Sequence, residues 1–349
     1  MTTFQHDSQT LLATCAPDYA DHALGELASV AVAVREEVAP GVLLAESERG
    51  FLALAKAWRS AGPIFIRHVN PVHSIIEGVE GSLFSQLTQA VETDLLPHIA
   101  PDVPFSIQTR MLDDALSLKP FDISKPLSTL IEQETGAALD VRDPRQVISV
   151  AVVSLGDRVR AWVGLSDVRD NLSDWAGGVR RFKRSPEQVS RSEFKLLEAF
   201  ETFQIALPPR GRALDLGAAP GGWTRILRLA EQFVIAVDPG DLHPSILADK
   251  GVGYRRMTAQ QYLQEEPDEF DLIVNDMRMD ARDSARLMVD YAKCLYPHGA
   301  ALMSLKLTED QPLELVEGAF AILDPVYQRR GARQFFHNRN EIMVYLTLR

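Results

Sequence analysis

Cysteine is scarce in this chain, with two among 349 residues. Cys15 and Cys294 lie far apart and have no neighbouring Cys or His at metal-ligand spacing, so we expect neither a disulfide framework nor a metal site. Long apolar runs are missing too, since no stretch of about 18 uninterrupted apolar residues occurs. The start, "MTTFQHDSQT", lacks the basic region and apolar core of a secretory signal. These absences predict a cytoplasmic protein without a membrane segment.

Positive charge is also in short supply, because 36 Lys and Arg face 48 Asp and Glu and give a formal net charge of −12. Phosphate binding needs Lys and Arg, so this balance excludes a protein that coats nucleic acid indiscriminately. Two segments are exceptions to this negative balance. The segments "RRFKRSPEQVSRSEFK" and "YQRRGARQFFHNRN" are rich in Arg and Lys.

The order of apolar and polar segments indicates more than one compact unit. Downstream of the polar stretch Leu165 to Ser190, near-continuous apolar strands alternate with amphipathic helices, which predicts a doubly wound α/β fold with a mostly parallel sheet. Two closing strand candidates without a helix between them predict an antiparallel edge hairpin. The upstream half has an α+β pattern. We therefore predict units at 1–62 and 63–166, a linker at 167–189 and a last domain at 190–349.

The stretch "LDLGAAPGGW" follows an apolar strand candidate and precedes a helical pattern. Glycines there allow a ligand to approach the backbone at the carboxyl edge of a sheet. Gly217, Gly221 and Gly222 do not match the dinucleotide fingerprint G-x-G-x-x-G, and no Gly-Lys-Ser/Thr of a P-loop follows. Asp238 ends the next strand, where a carboxylate can accept hydrogen bonds from ribose hydroxyls. This combination predicts a nucleoside ligand without a pyrophosphate, such as S-adenosylmethionine (SAM).

The segment "DLGAAPGGW" resembles motif I of the FtsJ-like ribose 2′-O-methyltransferases, which are SAM-dependent RNA-modifying enzymes. Most other methyltransferase classes carry E/D-x-G-x-G-x-G at this place. The resemblance implies a Rossmann-like domain. One feature departs from the family, because "RRMTAQQ" offers only Thr258 or backbone where an acidic residue often contacts the adenine. The resemblance implies the following cofactor-binding residues: Asp215, Gly217, Ala218, Pro220, Gly221, Gly222, Trp223, Asp238, Thr258 and Asp276.

The same resemblance implies a catalytic tetrad of Lys195, Asp276, Lys306 and Glu341. Asp276 and Lys306 end adjacent apolar strands, so both are expected in the crevice at the carboxyl edge of the sheet. We assign Lys306 to orienting and deprotonating the ribose hydroxyl and Asp276 to pairing with it, while Lys195 and Glu341 support them. Whether Lys306 is a true base or only an orienter stays open. The pattern "SRSE" predicts a capping box, with Ser190 as N-cap of the helix that carries Lys195.

The basic segments flank the tetrad, so they are interpreted as phosphate contacts around the reacting ribose. The aromatic residues Trp175, Phe335 and Phe336 are candidates for stacking bases or for packing. The upstream half is similar to a THUMP module preceded by a ferredoxin-like unit, which implies binding of structured RNA. The predicted RNA-binding residues are Arg180, Arg181, Lys183, Arg184, Arg329, Arg330 and Arg333.

These features predict a SAM-dependent ribose 2′-O-methyltransferase of RNA, with ribosomal RNA as the expected substrate. Three other functions stay open: methylation of tRNA, methylation of a base or small molecule, and RNA binding without catalysis. The target nucleotide and the oligomeric state are not determined by the sequence.

Overall fold

A computed structural model describes residues 6–307 and 312–349. The chain divides into two compact units between Val179 and Arg180, a point inside the segment that we interpret as a linker. Among the described residues, no helix is long and apolar enough to cross a membrane.

The amino-terminal unit contains two four-stranded sheets, and the first has the order β2-β3-β1-β4 with antiparallel pairing throughout. Its core is formed by strand and helix residues such as Leu11 and Leu27, which have no exposed surface. The elements of this part are β1 (Thr10–Thr14), α1 (Ala20–Ser29), β2 (Val32–Ala39), β3 (Val42–Ser47), α2 (Phe51–Ser60) and β4 (His68–Pro71).

The second sheet of this unit has the order β5-β8-β7-β6, in which only the β6–β7 pair is parallel. One helix of this part ends before Gly136, which has a φ of 75°, the left-handed conformation that glycine adopts readily at a helix end. Its elements are β5 (Ser74–Gly78), α3 (Glu80–Ala90), β6 (Phe105–Met111), α4 (Pro120–Thr135), β7 (Gln146–Leu155) and β8 (Arg158–Asp167).

The carboxy-terminal unit is an α/β unit built on one seven-stranded sheet. Its elements are α5 (Glu193–Thr202), β9 (Arg212–Leu216), α6 (Gly222–Leu229), β10 (Phe233–Val237), α7 (Pro244–Leu247), β11 (Val252–Arg255), α8 (Ala259–Gln264), β12 (Phe270–Asn275), α9 (Ala281–Asp290), β13 (Leu295–Lys306), α10 (Pro312–Leu323), β14 (Tyr327–Arg333) and β15 (Glu341–Leu348).

The strand order of this sheet is β11-β10-β9-β12-β13-β15-β14. The five strands from β11 to β13 run parallel, whereas β15 pairs antiparallel with both β13 and β14. This confirms the predicted doubly wound sheet with an antiparallel hairpin at its edge. The order reverses between β9 and β12, and such a switch point opens a ligand-binding crevice at the carboxyl ends of the strands. The central strands β9 and β12 are buried because Leu214 and Ile273 have no exposed surface.

Two features of the helix that begins the carboxy-terminal unit differ from the sequence prediction. Helix α5 begins at Glu193 rather than directly after Ser190, and the predicted N-cap hydroxyl of Ser190 instead pairs with that of Ser192 at 2.6 Å. Only the reciprocal half of the capping box forms, because Glu193 accepts from the Ser190 amide at 3.3 Å. Competition from a second nearby hydroxyl explains the difference.

Candidate active site

The tetrad residues come from four separate elements and meet at the carboxyl edge of the large sheet. Asp276 follows β12 directly, and Lys306 is the last residue of β13. Glu341 begins β15 and is paired in register with Lys306 across the antiparallel ladder. Lys195 lies in the first turns of α5. The structure therefore brings together all four residues that the sequence singles out.

The four charges alternate, because each carboxylate bridges both lysines. Lys306 Nζ donates to Asp276 Oδ1 at 2.5 Å and to Glu341 Oε2 at 2.6 Å. Lys195 Nζ lies 2.5 Å from Glu341 Oε1 and 3.6 Å from Asp276 Oδ2. The side chains keep between 8% and 22% of their surface exposed. This cluster thus has balanced charge and remains open to a ligand from the crevice.

Burial and ion pairing act in opposite directions on the pKa values of this cluster. Burial alone would lower the pKa of Lys306, but the carboxylates of Asp276 and Glu341 outweigh it and hold that pKa above its ordinary value. Burial alone would raise the pKa of Glu341, but Lys306 and Lys195 bring it down to about 2. Lys306 is therefore an ammonium and Glu341 a carboxylate in the free protein at neutral pH.

A buried glutamate that sequence reasoning missed positions two of the tetrad elements. Glu198 is 5% exposed on α5, and its two carboxylate oxygens accept from the backbone amides of Phe336 and His337 at 3.1 Å and 3.0 Å. These amides precede β15, so Glu198 ties the helix that carries Lys195 to the segment leading to Glu341. Its position three residues after Lys195, on the same side of a helix, was the available signal.

The glycine loop lies between β9 and α6, beside the tetrad strands. Gly217 has a φ of 79° and Gly221 a φ of 110°, which only glycine adopts readily. A Cβ atom on Gly217 would lie 2.5 Å from Cγ of Met277, the residue after Asp276. Gly222 is limited by space alone, because a Cβ there would lie 2.2 Å from the Ser190 hydroxyl oxygen. The absence of side chains at these glycines thus allows the segments that contain Met277 and Ser190 to pack against the loop.

Asp238 holds this loop in place as well as lying at the end of β10. Its Oδ2 accepts from the Ala219 amide at 3.0 Å, and its Oδ1 accepts from the Gly240 amide at 2.6 Å. The sequence interpretation considered only hydrogen bonds to a ribose. A carboxylate oxygen can accept more than one hydrogen bond, so the loop contacts leave capacity for a ligand hydroxyl.

Asp215, in β9, is a buried carboxylate with an unused oxygen. It is 1% exposed, and its Oδ2 accepts from the Thr224 hydroxyl at 2.6 Å. Among the described residues, no group forms a hydrogen bond with Oδ1. Burial, with the nearby charges of Asp276 and Asp238, raises the pKa of Asp215 to about 7. An ionised Asp215 is costly here unless a cationic ligand approaches.

Two further predicted cofactor residues have their side chains occupied within the protein. The Trp223 ring is 3% exposed, and its Nε1 donates to the Ser192 carbonyl at 2.9 Å. The Thr258 hydroxyl caps α8 by accepting from the Gln261 amide at 3.2 Å. A ligand contact from either residue would therefore use its backbone. Ala218 and Pro220 lie within the loop itself.

The predicted RNA-binding residues divide into paired and exposed side chains. Arg180 forms a two-point pair with Glu201 at 2.7 Å and 2.8 Å, and Arg329 does so with Asp324 at 2.6 Å and 3.2 Å. Arg330 donates to the Thr347 hydroxyl at 3.0 Å. In contrast, the side chains of Arg181, Lys183 and Arg184 are exposed, and within the part of the chain that the structure describes they have no ion-pair partner.

Burial separates the remaining candidates for RNA contact. Arg333 is 9% exposed and Phe335 is 4% exposed, so both belong to the interior of their unit. Phe336 is half-buried. Trp175, in the amino-terminal unit, is 42% exposed. Packing is therefore the role that the structure gives to Phe335.

Comparison with known protein families addresses the region that contains this cluster. Residues 188–333 match the FtsJ-like methyltransferase family. The predicted resemblance is thereby confirmed for this region, which contains Lys195, the glycine loop, Asp276 and Lys306. Glu341 lies beyond the FtsJ-like region, on the strand that pairs with β13.

Curated relatives of the chain carry the name Ribosomal RNA large subunit methyltransferase M. The protein of that name from Halorhodospira halophila is 36% identical over 174 residues, which are 49% of this chain and 50% of the relative. The one from Methylococcus capsulatus is 33% identical over 192 residues, 51% of this chain and 53% of the relative. The chain thus spans about half the length of these curated relatives.

A solved structure, TrmN from Thermus thermophilus, is 18% identical to the chain, with a TM-score of 0.41. The alignment covers 98% of this chain and 100% of that one.

Proposed function

We propose that this protein transfers a methyl group from SAM to a ribose 2′-hydroxyl of structured RNA, with large-subunit ribosomal RNA as the substrate, in the cytoplasm. The observation that carries the proposal is the alternating ring of Lys195, Asp276, Lys306 and Glu341 beside the glycine loop. The FtsJ-like match and the names of the curated relatives support it.

The crevice residues fit SAM as the methyl donor. SAM carries a positive sulfonium and an ammonium group, and the unpartnered Oδ1 of Asp215 suits a cation. Asp276 and Asp238 add negative charge near it. Asp238 would hold the ribose, and the backbone of the loop from Gly217 to Gly222 would lie against the ligand. When bound, SAM supplies an electrophilic methyl group.

The chain's own residues then act on the acceptor hydroxyl. Lys306 Nζ orients the hydroxyl and accepts its proton, while Asp276 and Glu341 hold Nζ in position. Because the proton acceptor is the neutral amine, the rate should rise with pH until Lys306 has lost its own proton. Lys195 balances the charge of the two carboxylates and keeps them in place.

Methyl incorporation into separated RNA fractions tests the proposal. Labelled SAM is incubated with the protein and with ribosomal RNA, tRNA or no RNA. We expect label in large-subunit ribosomal RNA, and a loss of at least about a hundredfold in rate for Lys306→Met, since a positioned acid or base contributes that much or more. Arg286→Gln, in an exposed pair with Asp283 on α9 and outside both the ring and the predicted RNA-binding residues, is the control and should keep most of the rate.

Three results would contradict parts of this proposal. Label in tRNA alone would show that tRNA, and not ribosomal RNA, is the substrate. An unchanged rate in Lys306→Met would show that Lys306 has no catalytic role. RNA binding without SAM binding in calorimetry would indicate a non-catalytic RNA-binding protein.

A further inference from the structure

Ser304 lies beside the tetrad but belongs to no motif that the sequence singles out. It sits on β13 two residues before Lys306, and side chains at this spacing point to the same face of a strand. It is 1% exposed. Its hydroxyl oxygen accepts a hydrogen bond from Lys306 Nζ at 2.8 Å. Ser304 is thus the third protein group that contacts this ammonium.

With Ser304 included, the Lys306 ammonium has an acceptor for each of its N–H groups. Asp276, Glu341 and Ser304 each take one, at 2.5 Å, 2.6 Å and 2.8 Å. Asp276 follows β12 and Glu341 begins β15. Both carboxylates also contact Lys195. Nζ is therefore held from three directions within the protein.

Ser304 differs chemically from the other two acceptors. An ionised carboxylate only accepts hydrogen bonds, whereas a hydroxyl both donates and accepts. When Lys306 is an ammonium, Ser304 accepts from it. When Lys306 is a neutral amine, the same hydroxyl can rotate and donate to the nitrogen lone pair. It can also rotate away, which leaves the lone pair free for a ligand. The carboxylates cannot make that exchange while they are ionised.

We propose that Ser304 is a positioning residue for Lys306, which anchors Nζ and gives it a hydrogen-bond partner in both of its protonation states. The catalytic consequence of this inference rests on the proposed function, but the anchoring itself does not. If Ser304 only filled space in the sheet, its removal would alter stability and leave the titration of Lys306 unchanged.

Direct titration of Lys306 in the full chain tests the inference without methyl transfer. The lysines are labelled with carbon-13 at Cε, and the Lys306 signal is assigned by its absence in Lys306→Met. Ser304→Ala removes a partner from both forms of Lys306, but the hydrogen bond to the ammonium is charge-assisted and the stronger of the two, so the charged form is destabilised more. We therefore expect Ser304→Ala to lower the pKa of Lys306 by about one unit, a tenfold change in its protonation equilibrium.

Two further variants separate anchoring from packing. Ser304→Thr keeps the hydroxyl and suits a strand, so it should restore the wild-type titration. Ser304→Cys keeps the approximate size but offers a weak acceptor, so it should resemble Ser304→Ala and can replace it if that variant does not fold. An unchanged Lys306 pKa in whichever of these two variants folds would overturn the proposal.

The rate profile supplies the catalytic readout. In Ser304→Ala, the rise of kcat with pH should shift to lower pH by the same amount as the titration, with KM for RNA unchanged. A shifted titration with an unshifted kcat profile would overturn the catalytic role of Ser304. If wild-type protein methylates no RNA, the proposed function fails, whereas the titration still decides the anchoring role.

Discussion

Asp215 is a single residue whose burial disfavours its ionised form. Its carboxylate has the Thr224 hydroxyl as a partner on one oxygen, while burial and neighbouring carboxylates raise its pKa to about 7. The sequence motif places Asp215 near the ligand but does not explain why the pKa of this carboxylate is raised. The reason depends on β9 being buried between neighbouring strands, which only the folded sheet shows.

Replacing this carboxylate should stabilise the free protein in a pH-dependent way. The folded-state pKa lies above the unfolded one, so the contribution of Asp215 to the free energy of unfolding falls as pH rises from about 4 to about 7 and is then constant. We expect Asp215→Asn to gain on the order of a few kcal/mol at pH 8 and little at pH 4. Calorimetric unfolding of the carboxy-terminal unit at both pH values measures this. Equal gains in stability at both pH values would show that the charge of Asp215 does not destabilise the folded protein. The control is Asp249→Asn, at a partly exposed pair with Arg228.

The tetrad shows how far sequence reasoning reaches at this scale. Lys195, Asp276, Lys306 and Glu341 follow from their positions at strand and helix ends in a recognisable family pattern, and the structure places them together. Glu198 was missed because its partners lie on another segment of the chain, whereas Ser304 was missed although its partner lies two residues along the same strand. Alternation along β13 would have placed Ser304 beside Lys306, but only the folded contacts show the hydrogen bond.

At the scale of elements, the loop between β9 and α6 depends on glycine for space and conformation. Gly217→Ala forces an unfavourable φ and sets a Cβ against Met277. We expect it to weaken SAM binding by at least about tenfold, since a loss of 1.4 kcal/mol suffices for that. Isothermal calorimetry with SAM is the measurement.

The matched control for the loop is Gly253→Ala in β11. This glycine has an ordinary φ, and an added Cβ meets only the flexible end of Ile235. SAM affinity should stay near wild type. If Gly217→Ala binds SAM as tightly as Gly253→Ala does, the loop does not contact the ligand in the manner proposed.

Element prediction succeeded where the sequence has a long continuous apolar run and was less successful elsewhere. The apolar runs of β9, β10, β12 and β13 are recognisable because both faces of a central parallel strand are covered. In contrast, β2 was missed, since its sequence "VAVREEVA" lies at the edge of its sheet and half of its residues are exposed. The short strands β4 and β5 and helix α3 were missed as well.

At the scale of the whole molecule, the negative net charge means that the proposed RNA binding would depend on local groups of cations. The sequence marks Arg180 and Arg329 as strongly as Arg181, but the structure neutralises the first two with carboxylates. Which cations remain exposed depends on ion pairs that form in the folded chain, and the sequence does not reveal these. The division into units at 1–62 and 63–166, and their ferredoxin-like and THUMP-like character, stays a prediction.

The exposed basic segment before α5 should contribute to RNA affinity through phosphate contacts. We expect the combined Arg181→Ala, Lys183→Ala and Arg184→Ala variant to bind RNA more weakly and to lower the salt slope of log K by roughly 2, since each lost contact removes about 0.7 to 0.9. Titrations at several salt concentrations measure this slope. Arg329→Gln, already paired in the free protein, should change it much less. An unchanged slope in the triple variant would place the RNA elsewhere.

The central claim is that the tetrad methylates a ribose hydroxyl rather than a base, and the position of the transferred label tests it most directly. Labelled ribosomal RNA is hydrolysed with alkali, which cleaves only where a free 2′-hydroxyl is present. We expect label in alkali-resistant dinucleotides, formed at least about a hundredfold more slowly by Lys306→Met. Label recovered in single nucleotides, on the base, would contradict it.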